Sequence, residues 1–390
     1  MKKLVLILFV LASFTLYAQR PGPPRKPPAP KAPKERITPA TSDKKAGVRD
    51  AVALVRVMKD WGYINTNGEF VIPAQFADAK PFADGRARVK SLGGWGYIDK
   101  SGSYVINPQF ERAEDFSEGL ARVAKFREWG FIDEKGAFAV NPQFNDAEDF
   151  QDGLARVKKG VFWGLINQSG TYVVNPQFAF IGPFVDGLAK ARTGKDWGYI
   201  DPTGKWVINP QFDDAEDFAG GLARVRKGVS WGYINPTGGF VINPQYEAAG
   251  DFYQGRARAK KMHQWGYIDD KGTWTANPQF DHAEDFHEGL ARVKKGREWG
   301  YIDASGTYAI NPQFDDAEDF TGGMARVRKG TQWGFVGKKG VYVINPQFDQ
   351  VNDYVNGFAL VRKGPRWGFI SEAGNLVINC TFNEAADFSK

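Results

Sequence analysis

The sequence predicts an all-β repeat protein: ten tandem 34-residue units, each of about three short antiparallel strands, closed into a propeller-like toroid. Three observations carry this expectation. A Trp-Gly pair recurs at Trp61, Trp95, Trp129, Trp163, Trp197, Trp231, Trp265, Trp299, Trp333 and Trp367, always 34 residues apart. A glycine closes a turn at one fixed offset in all ten units, from Gly68 to Gly374. Around that turn, β-branched and aromatic residues alternate with polar ones at the period of two that marks a strand.

Taken in chain order, residues 1–18 read as a secretory signal peptide. Lys2 and Lys3 form its charged region, Leu4 to Tyr17 its apolar stretch, and Ala18 is the small residue before cleavage. Such a stretch is short of the roughly 20 residues that span a bilayer, so export without a transmembrane anchor is expected. The destination is the periplasm, the outer surface or the exterior. The single cysteine, Cys380, allows no intramolecular disulfide and lies far from the cleavage point, which excludes a lipid-modified N-terminal cysteine.

Residues 19–50 form a tether, most clearly in the Pro-rich basic run from Arg20 to Lys34, a composition that favours extended polyproline and builds no core. This segment also explains the net charge of +6. Residues 1–36 hold eight Lys/Arg and one Glu, which leaves 43 basic and 44 acidic residues of the 51 and 45 in the chain. A domain so close to neutral gives no reason to expect a nucleic-acid partner.

Within residues 51–390, each unit opens with a Trp-Gly-Tyr-Ile-Asp strand such as Trp95 to Asp99, turns through Asp-x-x-Gly, and continues into a second strand at Tyr104 to Ile106. A third strand of Leu-Ala-Arg-Val type, as at Leu120 to Val123, follows another repeated glycine. Between second and third lies Asn-Pro-Gln-Phe-Asp-Asp-Ala-Glu-Asp-Phe, where the proline argues against a central strand. Its two aromatic positions, the Phe110 and Phe116 types, never lapse and read as core. A lone unit buries too little to offset the ordering of 34 residues, at about 1.5 kcal/mol each, so neighbours must share these aromatics.

The motifs Trp-Gly-Tyr-Ile-Asp-x-x-Gly and Phe-x-x-Gly-Leu-Ala-Arg-Val, repeated through residues 51–390, resemble those of the WG-repeat (KWG-type) β-repeat proteins, which are common in bacterial genomes and mostly of unknown function. The resemblance implies an all-β repeat fold and brings no catalytic residues. The phase of the chain adds a prediction of its own. Ala51 to Asp60 aligns with the third strand of a unit lacking its other two, and Lys390 falls where the last unit's third strand would begin. The N-terminal strand would therefore complete the C-terminal unit; an open superhelix is the alternative.

The chemistry expected is binding rather than catalysis. The sequence holds no Gly-x-Ser-x-Gly elbow, P-loop or dinucleotide fingerprint, and no unit departs far enough from the pattern to house a lone catalytic pair. His282 and His287, with Asp281, Glu284 and Asp285 nearby, match no metal-ligand spacing. Acidic runs such as Asp213 to Asp217, each followed by a basic run, read as charge pairing within or between units. The expectation is a protein that is not an enzyme, carries no cofactor or metal, and presents a repeat surface to a protein or envelope component. The alternative is a carbohydrate or peptidoglycan binder using Tyr104 and its equivalents Trp206 and Trp274, while the ten Trp-Gly tryptophans read as structural.

Overall fold

Residues 51–389 of the computed structural model form forty β-strands in ten four-stranded antiparallel sheets, the blades of a ten-bladed propeller. The signal peptide and tether expected over residues 1–50 lie outside the described residues. One blade shows the plan of all. Its strands run Arg112–Ser117, Leu120–Lys125, Glu128–Asp133 and Phe138–Phe144, in the same order in space as in sequence. We call them the connector, Arg-Val, Trp-Gly and Asn-Pro strands. A blade thus straddles two sequence units, and the three strands legible in the repeat are joined by a fourth formed within the connector.

The Asn-Pro strand runs through its proline. In the Trp95 blade, Trp95 pairs with Phe110 and Tyr97 with Ile106, so Asn107, Pro108 and Gln109 together face Gly96 alone. The same register shift recurs beside every Trp-Gly pair. The proline sits in a bulge of the outer edge strand, where its missing N–H removes no ladder bond. The bulge also explains the glycine: a Cβ on Gly96 would lie 2.6 Å from the Ile106 carbonyl and 2.7 Å from the Pro108 nitrogen.

No blade has a core of its own. Ten apolar clusters each draw from two neighbouring blades. In one, Tyr97, Ile106 and Phe110 meet Ala113, Ala121, Val123 and Ile132 of the next blade, and the Tyr97 ring lies 5.0 Å from that of Phe116. The Tyr97 hydroxyl donates to the backbone carbonyl of Glu114 at 2.6 Å, and burial raises its pKa far above the ordinary phenol range. The two aromatic positions of the connector thus serve the joints between units, as the ordering cost required.

The tenth joint closes the ring. The connector strand Glu384–Ser389 adds to Val52–Val57 of the first blade, pairing Val52 with Ser389 and Arg56 with Glu384. Ala51, Ala53, Val55 and Ile64 share a cluster with Leu360, Phe369, Ile378 and Phe388. Adjacent connector strands also hydrogen-bond across blade boundaries, as in Ser117 Oγ to the Phe150 carbonyl at 2.7 Å, which suits the strands nearest the axis. The Asn-Pro strand is the outer edge.

Candidate functional site

Three repeated surfaces carry chemistry. The first is the outer edge. Tyr104 opens an Asn-Pro strand there and is 42% exposed, with the half-exposed Val105 beside it. Trp206 and Trp274 occupy the same position in other blades. Both are half-buried, set edge-on to Phe178 at 5.5 Å and to Tyr246 at 5.7 Å. Phe70, Phe240 and Leu376 are the exposed equivalents. All but the Trp274-Thr275 blade therefore show the solvent an apolar pair, on a strand with no partner at its outer edge among the described residues.

The second surface covers the Trp-Gly tryptophans. Trp129 and Trp299 are buried and the other eight are half-buried. Over each of the ten lies an Arg or Lys, 4.9 to 6.0 Å from the ring, contributed by the adjacent Arg-Val strand. The tryptophan is thus a platform that the stem and charge of a cation cover, a cation–π contact of about 0.5–1 kcal/mol where exposed. The alternating basic residues of the Arg-Val strand were the sequence signal for this.

The third is a ladder of ion pairs between blades. Arg88 donates from Nε to Asp115 Oδ1 at 2.7 Å and from one terminal nitrogen to the Ala113 carbonyl at 2.6 Å and to Glu114 at 2.5 Å, all three in the next blade. Arg122, Lys190, Arg258, Arg292 and Arg326 reach forward in the same way, as does Arg224 to Asp251. The acidic and basic runs of the sequence therefore pair between units. Leu54 and Leu360 replace the cation in the two blades at the seam.

The ladder has two mismatched rungs. Arg156 faces Gly182-Pro183, which stands where five other units place Glu-Asp. It donates to the Ile181 carbonyl at 3.0 Å, and among the described residues no carboxylate lies within ion-pair distance of it. Asp387 is the converse case, a carboxylate in the blade that follows Leu360. Asn352 Nδ2 donates to its two oxygens at 3.2 and 3.4 Å. Burial first, and then the neighbouring Asp353, raise its pKa above the usual carboxylate range.

The histidines do not converge. His282 Nε2 lies 2.9 Å from Glu284 Oε1, whereas His287 turns to Asp319 at 3.5 Å and stacks on Tyr253 with ring centres 5.6 Å apart. Among the described residues, no three His, Cys, Asp or Glu side chains are grouped to hold a metal ion, and no helix is long and apolar enough to cross a membrane. A shallow depression of about 470 Å³ is lined by Glu118, Gly153, Asn167, Gln168 and Ser169. These residues include no nucleophile paired with a base.

Among solved structures, a eukaryotic initiation factor superposes with a TM-score of 0.48 at 10% identity, over 87% of this chain and 98% of its own. The dihydro-heme d1 dehydrogenase NirN superposes at 0.38 and 10% identity, over 87% and 75%. PorZ, a bacterial surface component of the type-IX secretion system of Porphyromonas gingivalis, does so at 0.27 and 10% identity, over 80% of this chain; the chain spans about half of that protein's length, 52%. At these identities and scores the likenesses assign no function. No curated protein matches the sequence. A family model for the WG containing repeat matches ten consecutive segments, from 61–94 through 197–228 to 367–390, each starting at a Trp-Gly pair and running into the next blade. The chain belongs to the WG-containing repeat family.

Proposed function

We propose that this protein is an exported, non-catalytic binding scaffold whose ring presents a repeated surface to a protein of the cell envelope or exterior. One observation carries the reading: the outer edge of blade after blade offers a half-exposed apolar pair, Tyr104-Val105 and its equivalents, on the outermost strand. The bulge and the proline of that strand disfavour strand addition, so the apolar side chains themselves supply the contact with a partner. The uniformity of the ten blades supports a binding role, since a catalytic site needs one blade to differ. The signal peptide read from residues 1–18 supports export.

Co-purification of the tagged protein from its own cell envelope tests this, with mass spectrometry and glycan analysis of the same eluate. A stoichiometric protein partner, lost when Val105 and Val207 are both changed to Lys, is the expected result. The half-exposed ring of Tyr104 keeps a carbohydrate reading in view. Recovery of glycan alone, abolished by Trp206→Ala and Trp274→Ala, would put that reading first.

A further inference from the structure

Every blade joins its Arg-Val strand to its Trp-Gly strand by a tight turn, and all ten turns lie on the same face of the ring because the blades repeat in register. In four consecutive blades the turn carries an apolar side chain out into solvent: Met58, Leu92, Phe126 and Val161, between 70 and 109% exposed. Val229 and Met262 do the same in two further adjacent blades. The remaining turns carry Lys195, Arg297, Thr331 and Pro365.

Three of these residues hold a backbone conformation that disfavours them. Met58 has φ 55°, Phe126 φ 56° and Met262 φ 50°, with Arg127 at 65° and His263 at 64° beside the last two. At the same turn position, five blades use glycine at φ 60–65°: Gly160, Gly228, Gly296, Gly330 and Gly364. Glycine is the low-energy choice for the left-handed region, so a large apolar residue there is held against the backbone's preference. Packing within the chain gives little back, because these side chains stand in solvent; the Lys125 ammonium 5.9 Å from the Phe126 ring is an exposed contact.

The turns are also braced. Glu111 accepts hydrogen bonds from the backbone nitrogens of Phe126 at 2.9 Å and Arg127 at 3.1 Å. Glu247 takes His263 N at 3.2 Å, and Asn383 Oδ1 takes Met58 N at 2.9 Å across the seam. The Met58, Phe126 and Met262 tips are thus held in place, and Asn145 Oδ1 accepts in the same way from Gly160 N, beside Val161, at 2.6 Å. Basic residues stand beside them: Lys59 next to Met58, Lys125 and Arg127 on either side of Phe126, Lys158 and Lys159 before Val161, and Lys260 and Lys261 before Met262.

We infer that this face of the ring docks on an anionic lipid bilayer, with Met58, Leu92, Phe126 and Val161 inserted among the headgroups and the adjacent lysines and arginines against the lipid phosphates. A protein interface buries a contiguous apolar centre. Here, apolar points rise singly, most with a Lys or Arg within two residues among charges of both signs, which suits shallow insertion into an interface where apolar tips and cations act together. The inference holds whether or not a protein binds at the outer edge.

The test is flotation of the protein from residue 19 onward with phosphatidylcholine vesicles, with and without phosphatidylglycerol, compared with a variant carrying Met58→Gly, Leu92→Ser, Phe126→Gly and Val161→Thr. The expected result is binding that requires phosphatidylglycerol and weakens at least about tenfold in the variant, since each apolar tip gives up its burial. The Met58→Gly and Phe126→Gly changes should raise the melting temperature, because glycine suits both positions, so lost binding cannot be put down to unfolding. Failure of the parent to float would overturn the inference. So would equal flotation of the variant, which would assign binding to the basic tether, and so would a protein partner lost in the variant without any vesicle binding by the parent.

Discussion

Removing the strand that closes the ring should destabilise every blade, not merely the first. Deletion of residues 1–58 takes away Val52–Val57, in which Val52, Leu54 and Val55 are buried along with Ala53. At about 1.5–3 kcal/mol for each fully buried Val or Leu, the three larger side chains contribute roughly 5–9 kcal/mol. A domain's entire stability is about 5–15 kcal/mol. The deletion also strands Glu384–Ser389 as a lone strand and exposes the edge of Asp60–Ile64. Urea unfolding should therefore show the deleted chain largely unfolded, or with its midpoint far below that of a control lacking residues 1–50, which keeps the whole ring. Leu54→Ala in the full chain should cost about 2–5 kcal/mol. Coincident midpoints for deletion and control, with matching small-angle scattering, would refute the account, because an open stack loses only its terminal strand.

Further predictions follow from single blades. Asp387→Asn should put a neutral side chain of the same shape where a carboxylate faces Leu360 instead of a cation. Because the folded-state pKa of Asp387 is raised, its protonated form favours folding at low pH and that contribution is lost as pH rises through the folded value. The variant should remove this loss, gaining up to about 1 kcal/mol at neutral pH and none in acid, as read from urea midpoints across that range. Gly96→Ala should cost at least about 1–3 kcal/mol in thermal or chemical unfolding, since its Cβ meets the Ile106 carbonyl at 2.6 Å. Tyr97→Phe removes the bond to the Glu114 carbonyl and should cost about 0.5–1.5 kcal/mol by the same measurement. Phe131 and Phe369, which stand at the Tyr97 position in other blades, set that modest size.

Much of the fold is legible because each unit meets nearly the same surroundings, so one interpretation is checked ten times. The constant Trp spacing and the phase of Ala51 to Asp60 were enough to anticipate closure. The connector strand is not legible in the sequence because it is as short as Asp78–Ala79 in some blades, too brief for any periodicity to register. Pro108 argued against a central strand, and it lies in an edge strand, a distinction that depends on what stands outside the strand rather than on the strand itself. The candidate surfaces were harder. Tyr104 and Trp206 share a position but differ in exposure because their neighbours differ, and the turn tips are visible in sequence only as units in which Met58 or Phe126 stands where others carry glycine.

The seam also sets an order of events in synthesis. Most pairing in this chain joins residues a few dozen positions apart, but Val52 pairs with Ser389. Nine interfaces between blades can form as their residues emerge, each by local contacts that favour rapid assembly. The first blade must wait as three strands with a bare edge until the last residues are made. Closing so long a loop adds little entropy cost, because that cost grows only with the logarithm of length. The vulnerable interval is therefore one of timing: a chain that has been made but has not yet closed carries an open edge at one end and an orphan strand at the other, complementary features on two such chains.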